Sequence, residues 1–134
     1  MKQQWGGARP GAGRPPSAGR TSSEPHQRRP RVDARVPVIV VARVVRAVGD
    51  LRRVRASTAI ARAIDQAHVR TDFRIVEHVT DNRGIELVIE ADDWIALARG
   101  MQGFQVAAAR ALNALAARRG TVFADRYKIV RARR

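Results

Sequence analysis

The sequence predicts an α+β domain, an antiparallel sheet with two helices on one face, preceded by a basic Gly/Pro-rich tail. Three observations predict it. A β-branched run from Val36 to Val45 precedes a stretch of helical periodicity. Two further strand-like runs are joined by Asp81-Asn82-Arg83-Gly84, which carries turn chemistry. A long helical pattern follows, then one more β-rich segment.

Val36 to Val45, bounded by Gly49-Asp50, reads as a strand buried over much of its length, and Pro37 sits near its start, where a strand tolerates it. Ser57 or Thr58 caps the next element, a helix whose Ile60, Ala63/Ile64 and Ala67 share one face. Phe73 to Thr80 and Ile85 to Glu90 form a hairpin. Asp92 or Asp93 caps a long helix running through to Gly120, with Trp94, Leu97/Ala98, Met101, Phe104, Ala108, Leu112 and Leu115 at three- and four-residue steps. Thr121 to Val130 is a fourth strand, interrupted at Asp125-Arg126. The order β-α-β-β-α-β is the split βαβ, or ferredoxin-like, arrangement.

Composition divides the chain. Residues 1–34 hold five Gly, five Pro and seven Lys/Arg against two acids, net +5, with Trp5 the one large apolar side chain, so they are expected to be disordered in isolation. Residues 35–134 form the folded domain, with 19 Lys/Arg against 10 acids, net +9. Of the 26 basic residues 24 are Arg, whose planar fork suits phosphate and stacks on bases, so nucleic acid is the leading partner. The absence of cysteine excludes disulfides, thiolate metal sites and a thiol nucleophile. Three scattered histidines, His26, His68 and His78, argue against a His-rich zinc site. No apolar run reaches the length of a membrane span, and Met1 to Gly13 lacks the apolar region of a secretory signal, so the protein is expected to stay in the cytoplasm.

Four blocks in order carry a resemblance. Trp5-Gly6-Gly7-Ala8-Arg9-Pro10-Gly11-Ala12-Gly13-Arg14-Pro15 comes first, and Phe73-Arg74-Ile75-Val76 second. Ala98-Arg99-Gly100-Met101-Gln102-Gly103, leading to Ala111-Leu112-Asn113, is the third, and Val122-Phe123-Ala124-Asp125-Arg126-Tyr127 the fourth. Together they resemble the single-tyrosine HUH transposases of the insertion-sequence and REP-associated tyrosine transposase type. The resemblance implies a ferredoxin-like domain that binds single-stranded or hairpin DNA ends of a mobile element, and a homodimer formed through the sheet. It also implies a divalent metal such as Mg, held by a His-hydrophobe-His pair on a central strand, and a nucleophilic tyrosine on a C-terminal helix.

The chain departs from both catalytic parts. Aligned on Asn82, the histidine positions hold Arg83 and Ile85; aligned on Leu87-Val88-Ile89-Glu90, they hold Gly84 and Glu86. Glu86 alone offers a ligand, and one ligand is not a site. Tyr127, the single tyrosine, matches a structural position in its block, and the chain ends seven residues later at Arg134. What the resemblance implies is thus a truncated relative that binds DNA, with no catalytic residues, metal or other cofactor.

The expected DNA contacts are Arg9, Arg14, Arg28, Arg29, Arg35, Arg52, Arg53 and Arg55. Those from Arg28 to Arg35 lead into the first strand and Arg52, Arg53 and Arg55 follow it, so they flank one element as a phosphate-tracking surface, against the alternative of a solvated rim. Gly13-Arg14-Pro15 resembles an AT-hook core, against a plain basic linker. Arg110, Gln105 and Asn113 read as helix surface, and His78 as an ordinary strand residue. Two alternatives remain: an RNA-binding ferredoxin-like domain, disfavoured because most aromatics fit core positions, and an active nuclease with a non-standard site around Glu86 and Tyr127.

Overall fold

A computed structural model of the chain describes residues 32–132. Its elements are β1 (Val38–Arg43), a short 3-10 turn (Arg46–Val48), α1 (Val54–Ala67), β2 (Phe73–Thr80), β3 (Gly84–Ala91), α2 (Trp94–Leu115) and β4 (Lys128–Ala132). The strands lie in the order β2-β3-β1-β4, with every neighbouring pair antiparallel. This is the ferredoxin-like arrangement that the element order predicts.

Alternation along the strands sorts the two faces of the sheet. Val38 and Val40 of β1, Phe73 and Ile75 of β2, and Ile85, Leu87 and Ile89 of β3 join one core with Ile60 and Ile64 of α1 and Leu97, Met101, Phe104 and Leu112 of α2. The opposite face carries Ile39, Val41 and Arg43 of β1 in register with Val88, Glu86 and Gly84 of β3, and Glu90 of β3 opposite Arg74 of β2. Val32 also belongs to the core, and Asp33 bridges Val36, so the folded unit begins slightly upstream of Arg35. The remainder of the tail lies outside the described residues.

Three boundaries differ by more than two residues from the sequence-based expectation, each for a local reason. Helix α1 starts at Val54, about one turn before the expected Ser57 or Thr58 cap. Leu51 is fully buried and its N–H bonds Asn82 O at 3.0 Å, while Asp50 Oδ1 accepts the Arg52 N–H at 2.9 Å; the chain therefore reverses before Val54. Ser57 and Thr58 fall inside the first turns, and the Thr58 hydroxyl donates to Val54 O at 2.9 Å.

Helix α2 is capped by Asp93, which accepts the Ala96 N–H at 2.7 Å, but it ends at Leu115 and not at Gly120. The stop is a Schellman motif: Ala117 N–H donates to Ala114 O at 3.3 Å and Arg118 N–H to Asn113 O at 3.0 Å. Its left-handed residue is Ala117, with φ of 50°, where glycine is usual, so no sequence signal marks it. Asn113 holds the loop that follows, donating to Gly120 O at 2.9 Å and accepting from the Arg118 guanidinium at 2.7 Å. The helix is roughly 33 Å long. Its two ends, Trp94 and Leu115, project past the core and are exposed, although the periodicity counted both in the apolar stripe.

The last strand is shorter than Thr121 to Val130. Phe123 bridges Val44, and the chain loops out through Asp125-Arg126 before rejoining β1 where Lys128 faces Val41.

The seating of α2 depends on one glycine. A Cβ at Gly100 would lie 2.1 Å from the ring of Phe73, a buried side chain at the start of β2. A Cβ at Gly103, one turn on, meets nothing within 4 Å. Gly100→Ala is therefore expected to destabilise the domain by about 1–3 kcal/mol through overpacking, and Gly103→Ala to stabilise it by about 0.5–1 kcal/mol through helix propensity. Urea midpoints of the two variants, equal in chemistry and opposite in sign, check the contact. The same measurement on Ala117→Gly should show a gain of up to about 1 kcal/mol, from relief of the left-handed alanine.

Candidate nucleic-acid interface

The end of β1, the approach to α1 and the β2–β3 turn meet at one end of the sheet. Val44 N–H bonds Arg83 O at 2.8 Å, and Leu51 N–H bonds Asn82 O at 3.0 Å, which ties the three segments together. Arg43, Arg46, Arg52, Arg53, Arg55 and Arg83 all lie on these segments or in the first turn of α1, and all are exposed. Two carboxylates sit among them. Asp50 pairs with the Arg52 guanidinium at 2.9 Å. Asp81 folds back on its own turn, accepting the N–H groups of Arg83 at 2.8 Å and Gly84 at 2.6 Å.

Both acids are held ionised. The side-chain hydrogen bond from Arg52, then its backbone N–H, lowers Asp50 from 3.8 to about 2. Asp81 is lowered by the Arg83 and Gly84 N–H groups, with Arg43 and Arg52 adding through their charge. Six guanidinium groups against two carboxylates leave this end strongly cationic. It also includes the start of α1, where Arg53 at the cap position supplies no side-chain acceptor and no acid occupies the first turn. Cations at a helix N-terminus oppose its dipole, and its open N–H groups favour an anion.

Of the expected contacts, Arg52, Arg53 and Arg55 belong to this cluster, whereas Arg35 does not. It sits before β1, against Asp33 at 3.5 Å, at the other end of the strand. Arg9, Arg14, Arg28 and Arg29 lie outside the described residues. The missing partners for the cluster are Arg43, Arg46 and Arg83, which sequence distance hides and the hairpin brings in.

The motif region lies beside this cluster. Gly84 and Glu86 point to the sheet face away from the helices, Gly84 opposite Arg43 and Glu86 between Val41 and Val79. A Cβ at Gly84 would press to 3.2 Å on Asp81 Oδ1. Ile85 is buried in the core. Glu90, on the same face as Glu86, is taken by Arg74 at 2.7 Å. Tyr127 packs beside α2 on the opposite side of the sheet, so the structure does not bring Glu86 and Tyr127 together. Among the described residues, no group of three His, Asp or Glu is placed to hold a metal ion, and no helix is long and apolar enough to cross a membrane.

A second cationic surface was not expected. Arg99 and Arg110 of α2 line a groove with Arg70, which follows α1, together with Gln66, Gln102 and the bare backbone at Gly103. Arg70 is engaged by Asp72 at 2.9 Å, and Arg99 also acts on that carboxylate, lowering it. The signal was present in the sequence as the spacing of Arg99, Gly103, Val106 and Arg110, which share one side of a helix. It lacks an apolar stripe to attract notice.

The lowered acids make acid stability a test of the cluster. Since the folded Asp50 carboxyl titrates below its unfolded value of 3.8, the unfolded chain binds the extra proton first; this contribution is intact above about pH 4 and is lost as pH falls toward about 2. Asp50→Asn should therefore flatten the decline of Tm across that window relative to the natural chain. Parallel curves would mean that Asp50 has no folded-state partner.

In comparisons with known proteins, no family model, no curated protein and no solved structure matches the chain.

Proposed function

We propose that the chain is a DNA-binding protein of transposase type, which holds single-stranded or hairpin DNA and does not cut it. The observation that carries this reading is the gathering of Arg43, Arg46, Arg52, Arg53, Arg55 and Arg83 around the open N-terminus of α1. Few of these arginines are neutralised, and they form an anion-binding surface suited to a phosphodiester backbone. The four sequence blocks that resemble the single-tyrosine HUH transposases supply the choice of DNA as the polyanion. Cutting is left out because the positions that would carry the metal-binding histidines hold Arg83 and Ile85 in one alignment and Gly84 and Glu86 in the other; Ile85 is buried in the core, and Glu86 faces valines in register on both sides.

Gel shifts across a salt series with hairpin-forming single strands, duplex DNA and RNA test the reading. The hairpin is expected to stay bound to higher salt than the other two. Arg43→Gln and Arg53→Gln should each weaken binding to all DNA sequences alike and reduce the log–log salt slope by about 0.7. Loss of all three polymers at one salt concentration would reduce the interaction to bulk charge. With Mg²⁺ present, no protein–DNA adduct is expected on a denaturing gel.

A further inference from the structure

Helix α2 has a second groove on its other flank, against the 121–127 segment. Along it lie Trp94, Gln105, Phe123, Arg126 and Tyr127, around a space of about 480 Å³. That is within the range of roughly 300–1,000 Å³ typical of small-molecule sites. Phe123 and Tyr127 are held by partial packing on the core, whereas Trp94 is 59 % exposed at the head of the helix. An indole left in water forgoes the burial that makes the residue valuable to a fold.

The aromatic groove and the Arg70/Arg99/Arg110 groove are flanks of one strip of surface. Gln102 and Val106, one turn apart on α2, line both of them. The strip is as wide as a helix with its side chains, about 10–12 Å. Asp72 pairs with Arg70 at the first groove, and the other charged residues that line the two grooves, Arg99, Arg110 and Arg126, are cationic. Arginine is the charged residue in both. A second copy of this chain would bring like charge against like charge there, so the chemistry selects an anionic occupant with flat rings.

Resting on the DNA-binding reading, we infer that the aromatic groove is a stacking subsite for an unpaired base of single-stranded DNA, whose phosphates cross α2 into the arginine groove. The base stacks on Trp94, while Gln105, roughly 16 Å further along α2, and Arg126 meet the strand that leads from it. Gly103, exposed in mid-helix with nothing near its missing Cβ, leaves the strand room to approach the backbone between the arginines. Stacking tolerates any base, so the subsite favours unpaired strands over duplex without reading sequence.

The test uses the chain's own fluorescence. Trp5 and Trp94 are its two tryptophans, so Trp5→Phe leaves Trp94 as the sole indole. Titration of that full-length variant with oligo(dT) should quench the emission, saturating at the affinity given by anisotropy of labelled oligo(dT). Trp94→Ala should weaken oligo(dT) about 5- to 150-fold and duplex less than twofold, while Trp94→Phe recovers most of the loss. Far-UV circular dichroism and an unchanged Tm of Trp94→Ala show that the fold is kept. Unquenched Trp94 with undiminished oligo(dT) binding by Trp94→Ala overturns the subsite and leaves the DNA-binding reading standing. Failure of the natural chain to bind hairpin, duplex or oligo(dT) overturns both. Tighter binding and equal quenching by oligo(U) overturns the assignment to DNA.

Discussion

The contact between Gly100 and Phe73 sets the position of α2 and of the two grooves that flank it. Phe73 opens β2 and its ring lies where a side chain at position 100 would stand. With hydrogen in that place, α2 settles onto the sheet and the small residues of α1, among them Ala56, Ala59 and Ala63, pack close beside it. Both grooves are consequences of that seating. One lies where α2 runs beside the end of α1, the other where α2 runs beside the segment that returns to β4. A helix lifted by a methyl group would widen both and shift the arginines that line them.

Electrostatics in a chain with a net charge of +14 needs a local arrangement that limits self-repulsion. The domain does this with short-range pairs: Arg52 with Asp50, Arg70 with Asp72, and Arg74 with Glu90. Each pair is at least partly exposed, and exposed pairs contribute little to stability. Their effect is to fix where individual guanidinium groups point. Asp81 works differently: its Oδ1 accepts both N–H groups of the turn that places Arg83 beside Arg43. The cationic end is thus assembled by a hairpin whose acid serves the backbone.

The two faces of the sheet have separate roles. The helix-bearing face supplies the core and, at its margins, the grooves. The other face holds Ile39 and Val88 at its centre, both largely buried, with Glu86, Glu90 and Arg43 around them. Gly84 and Glu86 are on this second face, whereas Ile85 and the aromatic groove belong to the first. Glu86 and Tyr127, the residues of the non-standard site that the sequence offers, are on opposite sides of the sheet.

Element order, the hairpin, an acidic cap at Asp92 or Asp93 and the core face of α1 are legible in the sequence, because alternation and helical spacing are local signals that burial enforces. The sequence also determined that Gly84 and Glu86 share a face, which follows from strand period alone. Only the tertiary structure decided which arginines meet. Arg52 and Arg83 are distant in sequence, and Arg70 and Arg110 more so, and charged residues on a surface carry no periodic constraint that would betray a shared patch. The structure likewise decided where the helices begin and end: a buried Leu51 and a left-handed Ala117 override the residues that would ordinarily mark those points. It set Trp94 apart from the stripe its spacing joins, because α2 outruns the core beneath it.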